Sequence, residues 1–100
     1  MNKNIKIARE LIKIAKSLVS KRFSADNEED LKFCQDQIKG MINAMNNGDR
    51  DTLESLFDKI NLDDLSLSTY FHEKIEFFLE RVRRIYSFPK VVRNGFYVFP

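Results

Sequence analysis

Apolar residues recur at helical spacing along most of this chain. Near the start they fall at Ile5, Ala8, Ile12, Ala15 and Val19, which is the i, i+3, i+4, i+7 recurrence of an amphipathic helix. We therefore predict a first helix over about residues 4–20, with one broad apolar face and a polar face that is almost entirely cationic.

Two further stripes predict a second and a third helix. The second stripe runs through Leu31, Cys34, Ile38, Met41 and Met45. Its helix is predicted to start from a capping box of Asp26 and Glu29 and to stop at Gly48, which tolerates a left-handed backbone. The third helix is predicted over about residues 51–60, with Asp49 or Asp51 as its cap.

A fourth helix is predicted from the stripe Phe71, Ile75, Phe78, Val82 and Ile85. The stretch before it, residues 62–68, alternates leucine with serine or aspartate and fits either a brief strand or a helix cap at Asp64 or Ser66.

The pattern changes after Pro89, where β-branched and aromatic residues flank Asn94-Gly95. This dipeptide is typical of a two-residue type I′ turn, so residues 88–100 are predicted to form a β-hairpin. A two-residue turn would pair Arg93 with Phe96 and Val92 with Tyr97. We expect the hairpin to pack against the last helix, since an isolated hairpin is marginal in water.

These elements predict one mainly α domain over residues 1–100: a small four-helix domain closed by a C-terminal β-hairpin. The basic helix of residues 1–22 is followed by a helical body, 23–87, and the hairpin, 88–100, and whether the first helix separates from the body is left open. The expected core is Ile5, Ala8, Leu11, Ile12, Ala15, Leu31, Ile38, Ile42, Leu56, Phe57, Phe71, Ile75, Phe78, Val82 and Ile85.

Charge is strongly segregated although the formal net charge is only +2. Residues 1–22 carry seven cations and one acid, residues 23–79 five cations and thirteen acids, and residues 80–100 five cations and one acid. Either the basic ends pack beside the acidic middle and neutralise it, or one basic face stays on the surface.

The composition of the chain bears on where in the cell the protein is located. The apolar runs fall short of the roughly 20 residues that a membrane-spanning helix needs, and the N-terminus lacks the pattern of a secretory signal. A single cysteine, Cys34, favours a reducing compartment. We therefore predict a protein that is not secreted and has no transmembrane segment.

Candidate chemistry is sparse. His72 and Cys34 are the only residues of their types, which is too few for a His/Cys metal site, and Cys34 lies on an apolar stripe where core packing is its expected role. The acids at Asp49, Asp51, Asp63 and Asp64 fit helix caps better than a cation loop. We predict no enzyme, no cofactor and no metal.

The C-terminal region also fits nucleic-acid binding, because cations alternate there with aromatic residues that can stack on bases. The set is Arg81, Arg83, Arg84, Lys90 and Arg93, with Tyr86, Phe88, Phe96 and Tyr97. The alternative is that these aromatic side chains build the core between the last helix and the hairpin. For the first helix, packing in the bundle, docking in a partner's groove and lying on an anionic membrane all stay open.

One resemblance bears on origin. Residues 7–19, from Ile7 through the Arg9-Glu10-Leu11 and Ala15-Lys16 segments to Val19, resemble a short leader with the pattern (A)-(R/K)-E-L-(V/I)-x-(I/L)-A-K-x-L-(V/T). Such leaders begin many otherwise unrelated small proteins of large tailed bacteriophages. The resemblance implies a phage protein that is carried with the virion or assembled into it.

Together these observations predict a non-enzymatic protein-interaction module of phage origin, located in the host cytoplasm or the virion. Its partner would be a virion component or a host protein, self-association stays open, and a small nucleic-acid-binding accessory protein is the alternative. The predicted partner-binding residues are the cations of the first helix and the cations and aromatics of the C-terminal region: Lys6, Arg9, Lys13, Lys16, Arg84, Arg93, Phe96, Tyr97 and Phe99.

Overall fold

A computed structural model describes residues 3–92 and 96–98. In this part of the chain four α-helices dominate: α1 (Lys3–Ser20), α2 (Glu28–Asn46), α3 (Arg50–Lys59) and α4 (Thr69–Tyr86). A 3-10 turn spans Leu62–Asp64, and two short strands follow, β1 (Lys90–Val92) and β2 (Phe96–Val98). The prediction of a mainly α protein is confirmed.

The first helix packs into the body, in contact with both α2 and α4, while α3 packs on α2. Leu11, Ala15 and Leu18 are its buried side chains, whereas Ala8 and Ile12 are half-buried. The buried face of α1 is therefore rotated slightly from the predicted stripe, toward Leu11 and Leu18. Of the three interpretations of this helix, packing in the bundle is the one that the structure shows.

Nine of the predicted core residues are buried: Leu11, Ala15, Leu31, Ile38, Ile42, Phe71, Ile75, Phe78 and Val82. Ile85 was predicted wrongly, since 36% of its surface is exposed. Leu56 and Phe57 are half-buried at the margin of the core, and the side chain of Ile5 lies outside the described residues.

Two aromatic residues outside the helices belong to the core: Phe23 was not predicted there, whereas Phe88 was, as the alternative to nucleic-acid binding. Phe23, in the connection between α1 and α2, lies 4.7 Å from Phe71 between ring centroids. Phe88, just beyond α4, is 1% exposed and packs on Phe57 and Tyr86. Both occupy connecting segments, so no helical period reveals them.

The helix starts are fixed by side-chain caps, two of which differ from the prediction. Asn27, not Asp26, caps α2 by accepting a hydrogen bond from the backbone N–H of Asp30 at 3.1 Å. Asparagine and aspartate are equally good caps, so sequence alone does not choose between neighbours. At α4 the cap is Ser68, not Asp64 or Ser66.

Two long-range hydrogen bonds join distant parts of the chain, and the first involves Ser66, a residue predicted as a cap. Ser66 donates its backbone N–H to a carboxylate oxygen of Asp30 at 2.7 Å, which holds it outside the helix. The side-chain amide of Gln35 donates to the carbonyl oxygen of Leu18 at 3.0 Å. That bond satisfies one of the carbonyl groups that every helix end leaves without a partner.

The two strands pair antiparallel, with Val92 opposite Phe96, Val91 opposite Tyr97 and Lys90 opposite Val98. The predicted register, which placed Val92 opposite Tyr97, is therefore wrong by one residue. Arg93 and the predicted turn residues Asn94 and Gly95 lie outside the described part of the chain.

Both α2 and α4 end in a Schellman motif, in which a backbone N–H beyond the helix bonds to a carbonyl group of the last turn. The N–H of Asp49 bonds to Ala44 at 2.9 Å, and that of Phe88 bonds to Arg83 at 2.9 Å. The left-handed position is Gly48 (φ 65°) in the first motif but Ser87 (φ 58°) in the second.

This difference predicts that two substitutions change the free energy of unfolding in opposite directions. Gly48→Ala should lower the free energy of unfolding by about 1 kcal/mol, because a Cβ is strained in the left-handed region, and this Cβ would meet nothing within 4 Å. Ser87→Gly should relieve the same strain and raise stability by up to about 1 kcal/mol. Urea unfolding of both variants measures the pair, and changes of the same sign would contradict this explanation.

Candidate functional site

The predicted cationic face of α1 is on the surface of the folded body. Arg9, Lys13 and Lys16 are exposed on the side of α1 away from its buried Leu11 and Ala15. The backbone of Lys6 also belongs to α1, but its side chain lies outside the described residues. We call Arg9, Lys13 and Lys16 the cationic face.

The predicted C-terminal part of the site is only partly described. Phe96 and Tyr97 belong to β2, of which only the backbone is described. Arg93 and Phe99 lie outside the described residues. Arg84 is exposed, and its Nε donates to Glu80 at 3.1 Å.

The predicted cluster of cations and aromatics at the C-terminus does not form one exposed surface. Arg83 is only 7% exposed, Phe88 is buried in the core, and Tyr86 is half-buried, where burial raises the pKa of its hydroxyl. Of the described members, Arg81 and Arg84 remain exposed. Of the aromatics that the alternative assigned to a core between the last helix and the hairpin, Phe88 is in the core and Tyr86 packs against it.

Arg83 and Glu80 form the best-defined ion pair in the described part of α4. Nε and Nη2 of Arg83 donate to the two carboxylate oxygens of Glu80 at 3.2 and 2.7 Å. The guanidinium holds the pKa of Glu80 at about 2, below its ordinary 4.5, and the carboxylate raises the pKa of Arg83. Nη1 of Arg83 is buried and has no hydrogen-bond partner among the described residues.

The lowered pKa of Glu80 predicts a pH-dependent contribution to stability. Because the folded state favours the carboxylate, this contribution is fully present above pH 4.5 and is lost as the pH falls toward about 2. We expect Glu80→Gln to be less stable than the native protein at neutral pH, with the difference shrinking through that window. Thermal unfolding at a series of pH values measures it, with Glu76→Gln as the control for removing an exposed acid from the same helix. A difference that is constant with pH would contradict the assignment.

Of the acids predicted as caps, Asp49 acts as one, at the start of α3. Asp49 accepts hydrogen bonds from the backbone N–H and the hydroxyl of Thr52 at 3.2 and 2.6 Å, and these bonds lower its pKa. Asp64 accepts from the side-chain amide of Asn61 at 2.6 Å. Among the described residues no three His, Cys, Asp or Glu side chains converge as a metal site would require.

Sequence reasoning missed one surface. Tyr70 and Phe77 are 57% and 58% exposed, and each ring carries a cation: Nζ of Lys74 is 5.2 Å from the Tyr70 centroid, and Cζ of Arg81 is 5.4 Å from that of Phe77. With Ile85, these residues form a line along α4 beside its buried face, which we call the outer row. The signal in the sequence was an aromatic residue followed four positions later by a cation, repeated after seven residues.

No family model, curated protein or solved structure matches this chain. None of the helices in the described part is long and apolar enough to cross a membrane.

Proposed function

We propose that this chain is a non-enzymatic protein-interaction module encoded by a large tailed bacteriophage, acting in the virion or on a host protein. The observation that carries the proposal is the orientation of α1. Its apolar side chains Leu11, Ala15 and Leu18 are buried in the body, yet the cationic face stays exposed. Folding therefore leaves these cations on the surface of the body.

Two further features support a role in binding. The leader-like residues 7–19 coincide with α1, and the phage origin rests on that resemblance. In the described part of the chain β1 and β2 pair only with each other, so each strand has an outer edge that a partner strand could extend. A C-terminal hairpin held against α4 would present such an edge together with Phe96 and Tyr97.

The chemistry of the described residues gives catalysis little support. The thiol of Cys34 is fully buried, and burial raises its pKa to about 11, with the nearby Asp30 adding to the effect. A nucleophilic cysteine needs the opposite, a lowered pKa and access to solvent.

The test is capture of partners with the tagged chain from infected cells, together with mass spectrometry of purified particles. The informative variant is Lys13→Glu with Lys16→Glu, which reverses two charges of the cationic face. Its matched control is Lys32→Glu with Lys39→Glu, which reverses two exposed charges on α2. We expect the first pair to lose a partner that the native chain and the control retain. Absence from particles and capture of no host protein would refute the proposal.

A further inference from the structure

The outer row of α4 is an apolar line that the fold leaves uncovered. The large hydrophobic side chains that are exposed in the described part of the chain are Tyr70, Phe77 and Ile85, and all three are on α4. Single exposed apolar residues are ordinary, but seven- and eight-residue spacing places these three on one side of a helix. That arrangement is typical of a helix that docks against another helix or into a groove.

Charge distinguishes this row from an ordinary apolar face. Lys74 and Arg81 lie within it, each over an aromatic ring, and neither forms an ion pair with a carboxylate among the described residues. Glu80 on the same helix is bound to Arg83 and Arg84, and the other two acids of α4 are exposed beside the row. A partner with apolar residues along one line and carboxylates beside them would therefore complement both the rings and the unpaired cations.

A second copy of this chain is a poor occupant. Two outer rows placed face to face would bring the Lys74 and Arg81 cations of both copies together, and like charges across an interface oppose association. The rest of the described surface exposes no second large apolar side chain to receive the row.

Single-stranded nucleic acid fits less well than an acidic helix. It offers phosphates for the cations, but it needs aromatic faces open for stacking. Here each exposed ring already holds a cation over one face.

We infer that the outer row of α4 docks an acidic amphipathic helix of another protein. This inference rests on the proposed function and specifies the partner's chemistry. Tyr70, Phe77 and Ile85 would contact the apolar line of that helix, while Lys74 and Arg81, each still over its ring, would pair with carboxylates beside that line. Buried aromatic and arginine side chains carry much of the binding energy at protein interfaces.

The probe is a fluorescein-labelled helical peptide of about 18 residues, because the row spans about 22 Å from Tyr70 to Ile85 at 1.5 Å per residue. It carries leucine along one face and glutamate beside it. Comparison probes are the same peptide with lysine in place of glutamate and a single-stranded oligothymidylate. Fluorescence anisotropy with the full chain should show binding of the acidic peptide and weak or no binding of the other two.

The variants Phe77→Ala and Arg81→Glu should each weaken binding of the acidic peptide by at least about tenfold. Both side chains are exposed, so circular dichroism should show a folded protein. The matched control is Lys32→Glu, an exposed charge on α2 paired with Asp36, which should leave binding unchanged.

Several results would overturn the inference: equal binding of the basic peptide, preference for oligothymidylate, no binding of the acidic peptide, or row variants that bind as the native chain does. Self-association that Phe77→Ala abolishes would assign the row to a second copy instead. A partner captured from infected cells and bound equally by both row variants would refute this inference and leave the proposed function standing. Failure to capture any partner would refute the proposed function itself.

Discussion

We expect Phe88→Ala to lower the free energy of unfolding by about 3–5 kcal/mol, the cost of truncating a buried aromatic side chain. Phe88 is 1% exposed, and its ring lies 5.3 Å from Phe57 and 5.8 Å from Tyr86 between centroids. The guanidinium of Arg50 lies 4.8 Å above it while donating to the carbonyl oxygen of Tyr86 at 2.8 Å. Loss of the ring therefore removes core packing and also the contact that supports the Arg50–Tyr86 hydrogen bond.

The measurement is urea unfolding followed by circular dichroism, and a domain of this size has only about 5–15 kcal/mol of stability to lose. Phe77→Ala is the matched control, since it removes the same atoms from a site that is 58% exposed. It should change stability by less than about 0.5 kcal/mol. Equal effects of the two substitutions would show that Phe88 does not join the end of α4 to the core.

Phe71→Ala should have an effect of similar size, about 3–5 kcal/mol, at the opposite end of the same helix. Phe71 is fully buried, and its ring lies 4.7 Å from that of Phe23. Its removal leaves a cavity beneath the connection between α1 and α2, where Phe23 is the buried aromatic that would have to move to fill it.

Tyr70→Ala tests whether the loss of stability expected for Phe71→Ala comes from burial or from aromatic contact. Tyr70 also contacts Phe23, with centroids 6.0 Å apart, but it is 57% exposed. We expect a loss of under about 1 kcal/mol for Tyr70→Ala. If the two substitutions lower stability equally, contact with the Phe23 ring, rather than the cavity, would be the cause of the loss.

Periodicity predicted most of the helical part because each helix buries a single face. The stripe Phe71, Ile75, Phe78 and Val82 repeats every three or four residues, and all four side chains are buried. Ile85 has the same three-residue spacing but is exposed. After the chain turns at Ser87, the buried side chain at this end of α4 is that of Phe88.

Connections were harder to predict because their residues are positioned by tertiary contacts. Ser66 donates to Asp30, which is thirty-six positions away in the chain, and Ser68 is the residue that caps α4. The one-residue error in strand register has a related origin, since Asn-Gly favours a two-residue turn but does not require one.

The candidate site was predicted in part for a similar reason. Sequence identified Arg9, Lys13 and Lys16 because a cationic face opposite an apolar one is visible in the spacing. It did not separate Arg81 from Arg83, which differ by two positions on one helix but are exposed and buried respectively. That distinction depends on which side of α4 the rest of the protein covers.

The burial of Cys34 gives the molecule an internal reporter of its own opening. The thiol is fully covered and its pKa is raised to about 11, so at neutral pH it is both inaccessible and protonated. A thiol reagent can therefore react only with molecules in which α2 has come away from its neighbours, and the labelling rate follows the population of those molecules. A change that loosens the core at either end of α4 would accelerate labelling, even where the average helix content stays constant.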